Sequence, residues 1–464
     1  MGRVVRRGEF RRPRPEEVEA FEHLQQRGYA SGSPTLGPRQ GGSDATRERD
    51  GEPAEAATAE PAGESGESEA PVSGEGEGPR ARDGGEPPGD GKKGPVAGDR
   101  KEERETARAY FVDGRPVAGA YVKRYDTWWG TEVLPMESVG GVVALPEARR
   151  CGYTAEVMAG IVGDMHERGV PISTITTPFA YAFYRRMGWE YAFHRLRARF
   201  APRLLASLGA DAHGAARFVR WPPTAAGEPG LEAMDAIYAQ VMRARYQGTA
   251  ARPPALWREH LHGKHTYAYV WEADGRPSGY GIFCVGREDM VEVRELFALD
   301  GHAWCGLLGL LANFDSQAEK VEWDMAPDLR LDLVVPEQND LELETTAEGM
   351  FRVIDLAAAL TARTYPPAVG RVCLRLSDEL APWNQGPFDV EWCGGRVEVR
   401  AARGGAAAAD SAAMDQRVFA QIYAGTVSPA EAARWRGADI GARALAVLTQ
   451  AFVTGRPPLL LESF

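Results

Sequence analysis

The chain has 464 residues, more than one hydrophobic core ordinarily serves, so two or three domains are expected. Hydrophobic residues make up 44% and charged residues 26%, an ordinary water-soluble balance. The formal net charge of -12 argues against nucleic acid as a partner and favours cationic partners such as amines. Cys151, Cys284, Cys305, Cys373 and Cys393 form no CxxC pair, which fits a reducing, cytoplasmic compartment. The basic start, Met1 to Arg7, has no apolar stretch behind it, and no apolar run reaches the ~20 residues that span a bilayer; neither a signal peptide nor a membrane partner is expected.

Pro15-Glu16-Glu17 opens a helix with acids in its first turn and with Val18, Phe21 and Leu24 on one apolar side. From about Gly32 to Glu105 the sequence turns to Gly, Glu, Pro, Ala and Ser. Between Gln40 and Glu105 the only branched apolar residues are Val72 and Val96. Such a stretch buries too little apolar surface to offset its ordering entropy, so a disordered insertion in a surface loop is expected. Ala109 to Val112, the turn Asp113-Gly114, and Val117 to Val122 read as a hairpin, with a third strand at Met136 to Leu145. Met158, Ile161, Val162 and Met165 then mark a helical face, closed by Gly169 and Pro171. A strand at Ile172 to Ile175, a short helix at Phe179 to Met187 and a strand at Tyr191 to Phe200 complete the first block.

A second block repeats this order. Phe218-Val219-Arg220 reads as a strand, and Met234, Ile237, Tyr238 and Val241 mark a helix. A hairpin turns at Asp274-Gly275, a strand runs Val291 to Leu296, and a helix passes through Leu307 to Leu311. Ala144 to Gly152 also lines up without gaps against Ala298 to Gly306, which together with the element order implies a duplicated domain. The third block begins near Gly349. Asp355 caps a helix at Leu356 to Leu360, and strands follow at Arg371 to Leu376, Phe388 to Trp392 and Arg396 to Arg400. Ser428-Pro429-Ala430-Glu431 is a capping box, and the apolar run from Pro457 to Phe464 implies a docked C-terminal segment.

The chemistry-bearing stretch is Arg149-Arg150-Cys151-Gly152-Tyr153-Thr154, between a strand and an amphipathic helix. Backbone N–H groups at a helix start, with the positive dipole end, bind a pyrophosphate; a glycine admits the phosphate closely, and two guanidiniums add charge. His260, His262 and His265 match no standard zinc spacing, so no metal is expected.

Three features resemble the Eis-like (enhanced intracellular survival) branch of the GNAT N-acetyltransferases. Val142 to Gly152 resembles that family's V-A-V-x-P-x-x-R-R-x-G strand and loop; Ala182 to Trp189 is similar to its I-Y-x-x-F-G-Y/W segment. The third feature is the overall plan, and the likeness covers everything but the insertion. The resemblance implies an α/β (α+β) fold of tandem GNAT domains, mixed sheets flanked by helices, followed by a sterol-carrier-protein-like domain. The expected boundaries are 1–200 with the insertion at about 32–105, 201–348, and 349–464.

It further implies transfer of an acetyl group from acetyl-CoA to a primary amine, be it a small polycation, an aminoglycoside or a lysine. Tyr184 would protonate the leaving thiolate, and the α-carboxylate of Phe464 would be the base. Backbone at Val142, Val143 and Ala144 would hold the thioester oxygen. Arg149, Arg150, Cys151, Gly152, Tyr153, Thr154 and Ala155 would hold the pyrophosphate, with Phe179 a further cofactor contact. A homo-oligomer, a hexamer as in the family, is expected. Ser463 stands where mycobacterial members carry an acid. The second block has Ala303 and Trp304 opposite Arg149 and Arg150, so it reads as structural and as a wall of the substrate cleft. The alternative is a non-catalytic lipid-binding or assembly protein built on the sterol-carrier-like domain.

Overall fold

The computed structural model describes residues 7–28, 105–177, 180–209, 214–219, 229–263, 265–286, 289–404 and 406–462. The low-complexity stretch lies outside the described residues except for Glu105, and so do Phe179, Arg220, Ser463 and Phe464.

The first block comprises β1 (Glu9–Arg11), α1 (Val18–Gly28), β2 (Glu105–Val112), β3 (Arg115–Trp129), β4 (Glu132–Ala144), α2 (Tyr153–Glu167), β5 (Ile172–Ile175), α3 (Tyr181–Arg186) and β6 (Glu190–Phe200). On α1, Phe21 and Leu24 are buried, whereas Val18 is exposed because the chain enters through a 3-10 turn at Pro15–Glu17. Asp113 and Gly114 both take positive φ, 51° and 75°, the pair a tight β2–β3 hairpin demands. All four residues of the apolar stripe on α2 are fully buried, and Gly169, at φ 70°, turns the chain out of the helix.

The second block comprises β7 (Ala215–Val219), α4 (Pro229–Arg245), β8 (Thr249–Ala250), α5 (Pro254–Leu261), β9 (Thr266–Ala273), β10 (Arg276–Val285), β11 (Met290–Ala298), α6 (Gly301–Ala312), β12 (Lys320–Met325) and β13 (Glu342–Val353). It repeats the first: β4 pairs in parallel with β5 around α2, and β11 pairs in parallel with β12 around α6. The third comprises α7 (Leu356–Ala362), β14 (Gly370–Ser377), β15 (Phe388–Cys393), β16 (Arg396–Ala401), β17 (Ser411–Asp415), α8 (Gln416–Ala424), α9 (Pro429–Trp435), β18 (Asp439–Ile440) and α10 (Ala442–Phe452). Asp355 caps α7 by accepting the Ala358 N–H at 2.8 Å. The Ser428–Glu431 capping box opens α9.

One sheet runs through the first two blocks in the order β1-β2-β3-β4-β5-β13-β6-β12-β11-β10-β9-β7, with β8 on β3. The last strand of the second block is therefore inserted into the first. β13 is antiparallel to β5, Met350 opposite Ile175, and to β6, Thr345 opposite Leu196. Gly349, where the third block was expected to begin, lies inside this strand. β14 to β18 form a separate sheet, β16-β15-β14-β17-β18. Its core holds Tyr365, Trp392, Phe419, Tyr423 and Phe452 in ring contact.

Phe351 of β13 joins the blocks: its buried ring lies 5.3 Å from Trp129 of β3, 6.0 Å from Phe193 of β6 and 5.8 Å from Tyr423 of α8. Replacing it removes contacts on three elements at once and leaves a cavity. Phe351→Ala is expected to lower the unfolding free energy by about 3–5 kcal/mol in a denaturant titration.

Candidate active site

β4 follows β5 only from Met136 to Ser138. Beyond Ser138 it leaves β5. A register irregularity against β3 falls there, between Gly119 and Tyr121, and Gly141 takes φ 57° with its carbonyl accepting from the Gln25 amide. The two parallel strands so part at their carboxyl ends, where open α/β sheets bind ligands, and α2 begins there.

Pro146–Ala148 forms a 3-10 turn, Arg150 takes φ 62°, and Gly152, at φ 85°, is the N-cap of α2. Glycine offers no capping side chain, and a Cβ placed on Gly152 would meet nothing within 4 Å. Arg149 and Arg150 are exposed beside this opening, with Arg149 Nε 3.4 Å from the Ala144 carbonyl. Tyr153 is buried and stacks on Tyr110, ring centroids 5.5 Å apart, which fixes the helix start against β2. Cys151, Thr154 and Ala155 are half-buried. Val143 is buried, and Val142 and Ala144 are half-buried. Tyr184 belongs to the same apolar cluster as Val143 and Tyr153.

α3, which carries Tyr184, is held from another part of the chain. Arg352 of β13 donates to the Met187 carbonyl at 2.9 Å and pairs with Asp378 at 2.8 Å. A Cβ on Gly188, which has φ 88°, would lie 1.5 Å from Arg352 Nη1, so only glycine admits this contact.

The second helix mouth is closed. Asp300 caps α6, its carboxylate accepting the Ala303 N–H at 2.8 Å, and an anion of the chain's own thus sits at that helix start. The gapless match of Gly152 with Gly306 is corrected: Gly152 is an N-cap, whereas Gly306 lies inside α6, where a Cβ would come within 2.2 Å of Trp271. The second block reaches its helix without the intervening turn, so Asp300 occupies the position of Gly152.

Lys123, Ser138 and Thr174 are opposite one another on β3, β4 and β5 and share one face. α1 covers this face through Phe21 against Tyr121, 5.3 Å apart, and α5 through Glu259, paired with Lys123 at 3.3 Å. The C-terminal run docks on it. Leu460 is buried against Gly349, and a Cβ on that glycine would lie 2.8 Å from Leu460 and 3.6 Å from Thr174 Oγ1. Arg195 Nε donates to the Leu460 carbonyl at 3.1 Å.

Glu462 then enters a buried polar cluster that sequence reasoning missed. Arg252 binds Glu295 through two nitrogens, at 2.6 and 2.9 Å, and Glu462 through a third, at 3.0 Å. Tyr280 donates to Glu295 at 2.6 Å, and His260 Nδ1 lies 3.2 Å from it. Burial alone would raise the Glu295 carboxyl; the Arg252 charge and the His260 contact outweigh it and hold it well below the usual carboxylate range. The one legible signal was Glu462 itself, a lone charge in an otherwise apolar terminal run.

Residues 97–192 and residues 248–353 each match an acetyltransferase (GNAT) domain family, and residues 356–461 match the sterol carrier protein domain family. The chain is an acetyltransferase with two GNAT domains and a sterol-carrier-protein domain. A Streptomyces griseus protein described as an uncharacterized N-acetyltransferase is 26% identical over 373 residues, covering 71% of this chain and 82% of that one. The fold is similar to that of a GCN5-related N-acetyltransferase from Kribbella flavida, with a TM-score of 0.65, 25% identity, and 77% and 87% of the two chains covered. It is also similar to Eis1 from Mycobacterium abscessus, with a TM-score of 0.62, 24% identity, and 77% and 90% covered. GNAT domains use acetyl-CoA as co-substrate, and of the two helix mouths here, the one at Gly152 is without a side-chain cap.

The cap on α6 gives a stability prediction for the second GNAT domain. Asp300→Ala is expected to cost about 1 kcal/mol in thermal or denaturant unfolding, with acetyl-CoA affinity unchanged.

Proposed function

We propose that this acetyltransferase is Eis-like: a cytoplasmic homo-oligomer, hexameric as in that family, that acetylates a primary amine within residues 1–200. The second GNAT domain, from about residue 201 through β13, is degenerate and walls the cleft, and the sterol-carrier-like domain follows β13. The observation that carries the reading is the contrast between two equivalent helix starts. One is a glycine flanked by Arg149 and Arg150 at parting strands; the other is capped by Asp300.

In this reading the N–H groups from Arg149 to Ala155 hold the pyrophosphate, with Phe179 a further contact. Val142 to Ala144 then hold the thioester oxygen where β4 has left β5. The amine, once neutral, attacks the carbonyl carbon, and the C–S bond breaks as the intermediate collapses. The thiolate takes its proton from the Tyr184 hydroxyl. The amine proton passes through water to the Phe464 α-carboxylate and returns through solvent to Tyr184. The acidic balance of the chain suits a cationic acceptor, either a small polyamine, an aminoglycoside or a lysine. The lipid-binding alternative has less support, because aromatic rings in mutual contact fill the core of the third domain.

Acetyl-CoA at ~100 times its dissociation constant should stabilise the protein by about 2.7 kcal/mol, read as a rise in Tm. Arg149→Ala with Arg150→Ala should abolish that rise while leaving the Tm without ligand in place. In a thiol-release assay over an amine panel, Tyr184→Phe should lower kcat by roughly 10²-fold or more. Two glycines added after Phe464 should lower kcat comparably. Absence of both the Tm rise and thiol release with every amine would favour the lipid-binding alternative.

A further inference from the structure

Helix α1 is seated by Phe21 and Leu24, both buried, and it comes close to the sheet: a Cβ on Gly119 of β3 would lie 2.5 Å from the Phe21 ring. Four residues after Phe21, Gln25 stands on the same side of the helix and reaches β4, its Nε2 donating to the Gly141 carbonyl at 3.0 Å. A carbonyl only accepts, so the amide nitrogen is the atom that faces it. Two residues further on, Arg27 pairs with Glu147 at 3.2 Å, in the 3-10 turn that leads to Arg149. One helix thus touches the stretch from Gly141 to Glu147 at both ends.

The Gly141 contact falls where β4 is least constrained by its neighbours. Tyr121 is opposite Gly140 and Gly119 is opposite Val143, so Gly141 and Val142 together stand against Ala120. On its other side β4 has left β5 beyond Ser138. Gly141 takes φ 57°, and glycine adopts positive and negative φ about equally readily, so the local sequence leaves the peptide between Gly141 and Val142 more than one orientation. A trans peptide is planar, and its C=O and N–H point opposite ways. Holding the Gly141 carbonyl toward α1 therefore holds the Val142 N–H on the side away from α1. Docking of the helix does not need this bond, because Phe21 and Leu24 already seat it, and Gln25 itself is only half-buried.

We propose that Gln25 is a positioning residue for acyl transfer. Through the Gly141 carbonyl it selects the orientation of the Gly141–Val142 peptide in which the Val142 N–H meets the thioester oxygen. The inference rests on the reading that the backbone of Val142 to Ala144 holds that oxygen. Gln25 acts through this peptide and not on the reacting atoms.

The test uses the full-length enzyme, acetyl-CoA isotope-labelled at the thioester carbonyl, and Gln25→Ala. With the cofactor bound to wild type in the absence of amine, the infrared carbonyl stretch should lie below its solution frequency, because an N–H on the oxygen weakens the C=O bond. Gln25→Ala should lose most of that displacement. Its kcat should fall by roughly 10-fold, short of the ~10²–10³-fold that removal of an oxyanion donor costs, since the peptide still visits the productive orientation. The KM for acetyl-CoA and the Tm rise it induces should stay within about twofold of wild type, since Arg149 to Ala155 are untouched. Gln25→Lys restores a donor and should recover part of both the displacement and the rate. Gln25→Glu keeps the length, offers the carbonyl no donor at neutral pH, and should match Gln25→Ala. Should Gln25→Ala fold poorly, Gln25→Glu at native Tm decides the matter in its place. A wild-type kcat and a wild-type frequency in the deciding variant would overturn the positioning role and leave the reading of the Val142–Ala144 backbone standing. An undisplaced frequency in wild type, with binding shown by the Tm rise, would overturn both.

Discussion

Strand β6 takes both its hydrogen-bonding neighbours from downstream of residue 319: β13 on one side and β12 on the other. This constraint organises the molecule. β5 likewise meets β13 on the side away from β4. The first GNAT sheet is completed only when the end of the second is made, so the two halves are one cooperative structure and not beads on a chain. Because β13 also carries Arg352, which grips the end of α3, the strand that closes the sheet sets the helix bearing Tyr184 as well.

Duplication here has divided one electrostatic device into two outcomes. A helix start following a parallel strand offers N–H groups and a positive dipole end wherever it occurs. At Gly152 the N-cap residue has no side chain to compete for them, and two arginines stand beside it. At Asp300 a carboxylate takes the Ala303 N–H, and the site answers its own charge. The difference does not depend on the fold, which both halves share, but on one N-cap residue and on the turn preceding it. The parting of β4 from β5 is equally local in origin, coming from a register irregularity and a left-handed glycine.

These features differ in how far they could be read from sequence, and the difference follows the range of the interaction. The apolar stripe on α2, the Asp113-Gly114 turn, the Asp355 cap and the Ser428–Glu431 box are decided within a few residues, and all stand where periodicity and turn chemistry put them. β13 shows no such pattern. Its residues from Glu342 to Glu348 are all exposed or half-buried, so the strand reads as a polar connection until its partners on β5 and β6 are known. The echo of Gly152 in Gly306 failed for a related reason: identity at one position could not reveal that the second helix starts earlier. Arg252 and Glu295 gave no signal, because an arginine beside two prolines and a glutamate in a strand acquire meaning only from a third residue more than 160 positions away.

The buried arginines extend this argument. Arg252 joins the second GNAT domain to the C-terminal run, Arg352 joins β13 to Asp378 and to the end of α3, and Arg363 joins α7 to Gln247 and to the Tyr423 carbonyl, each at 2.6 Å. Each stands at a joint between segments distant in sequence, and each is almost wholly buried. A hydrophobic residue would fill these positions at lower desolvation cost but would tolerate sliding. A guanidinium with several donors in one rigid plane accepts a single alignment of its partners. A structure assembled from segments so distant in sequence needs alignment as well as added stability, and that is what arginine at these joints supplies.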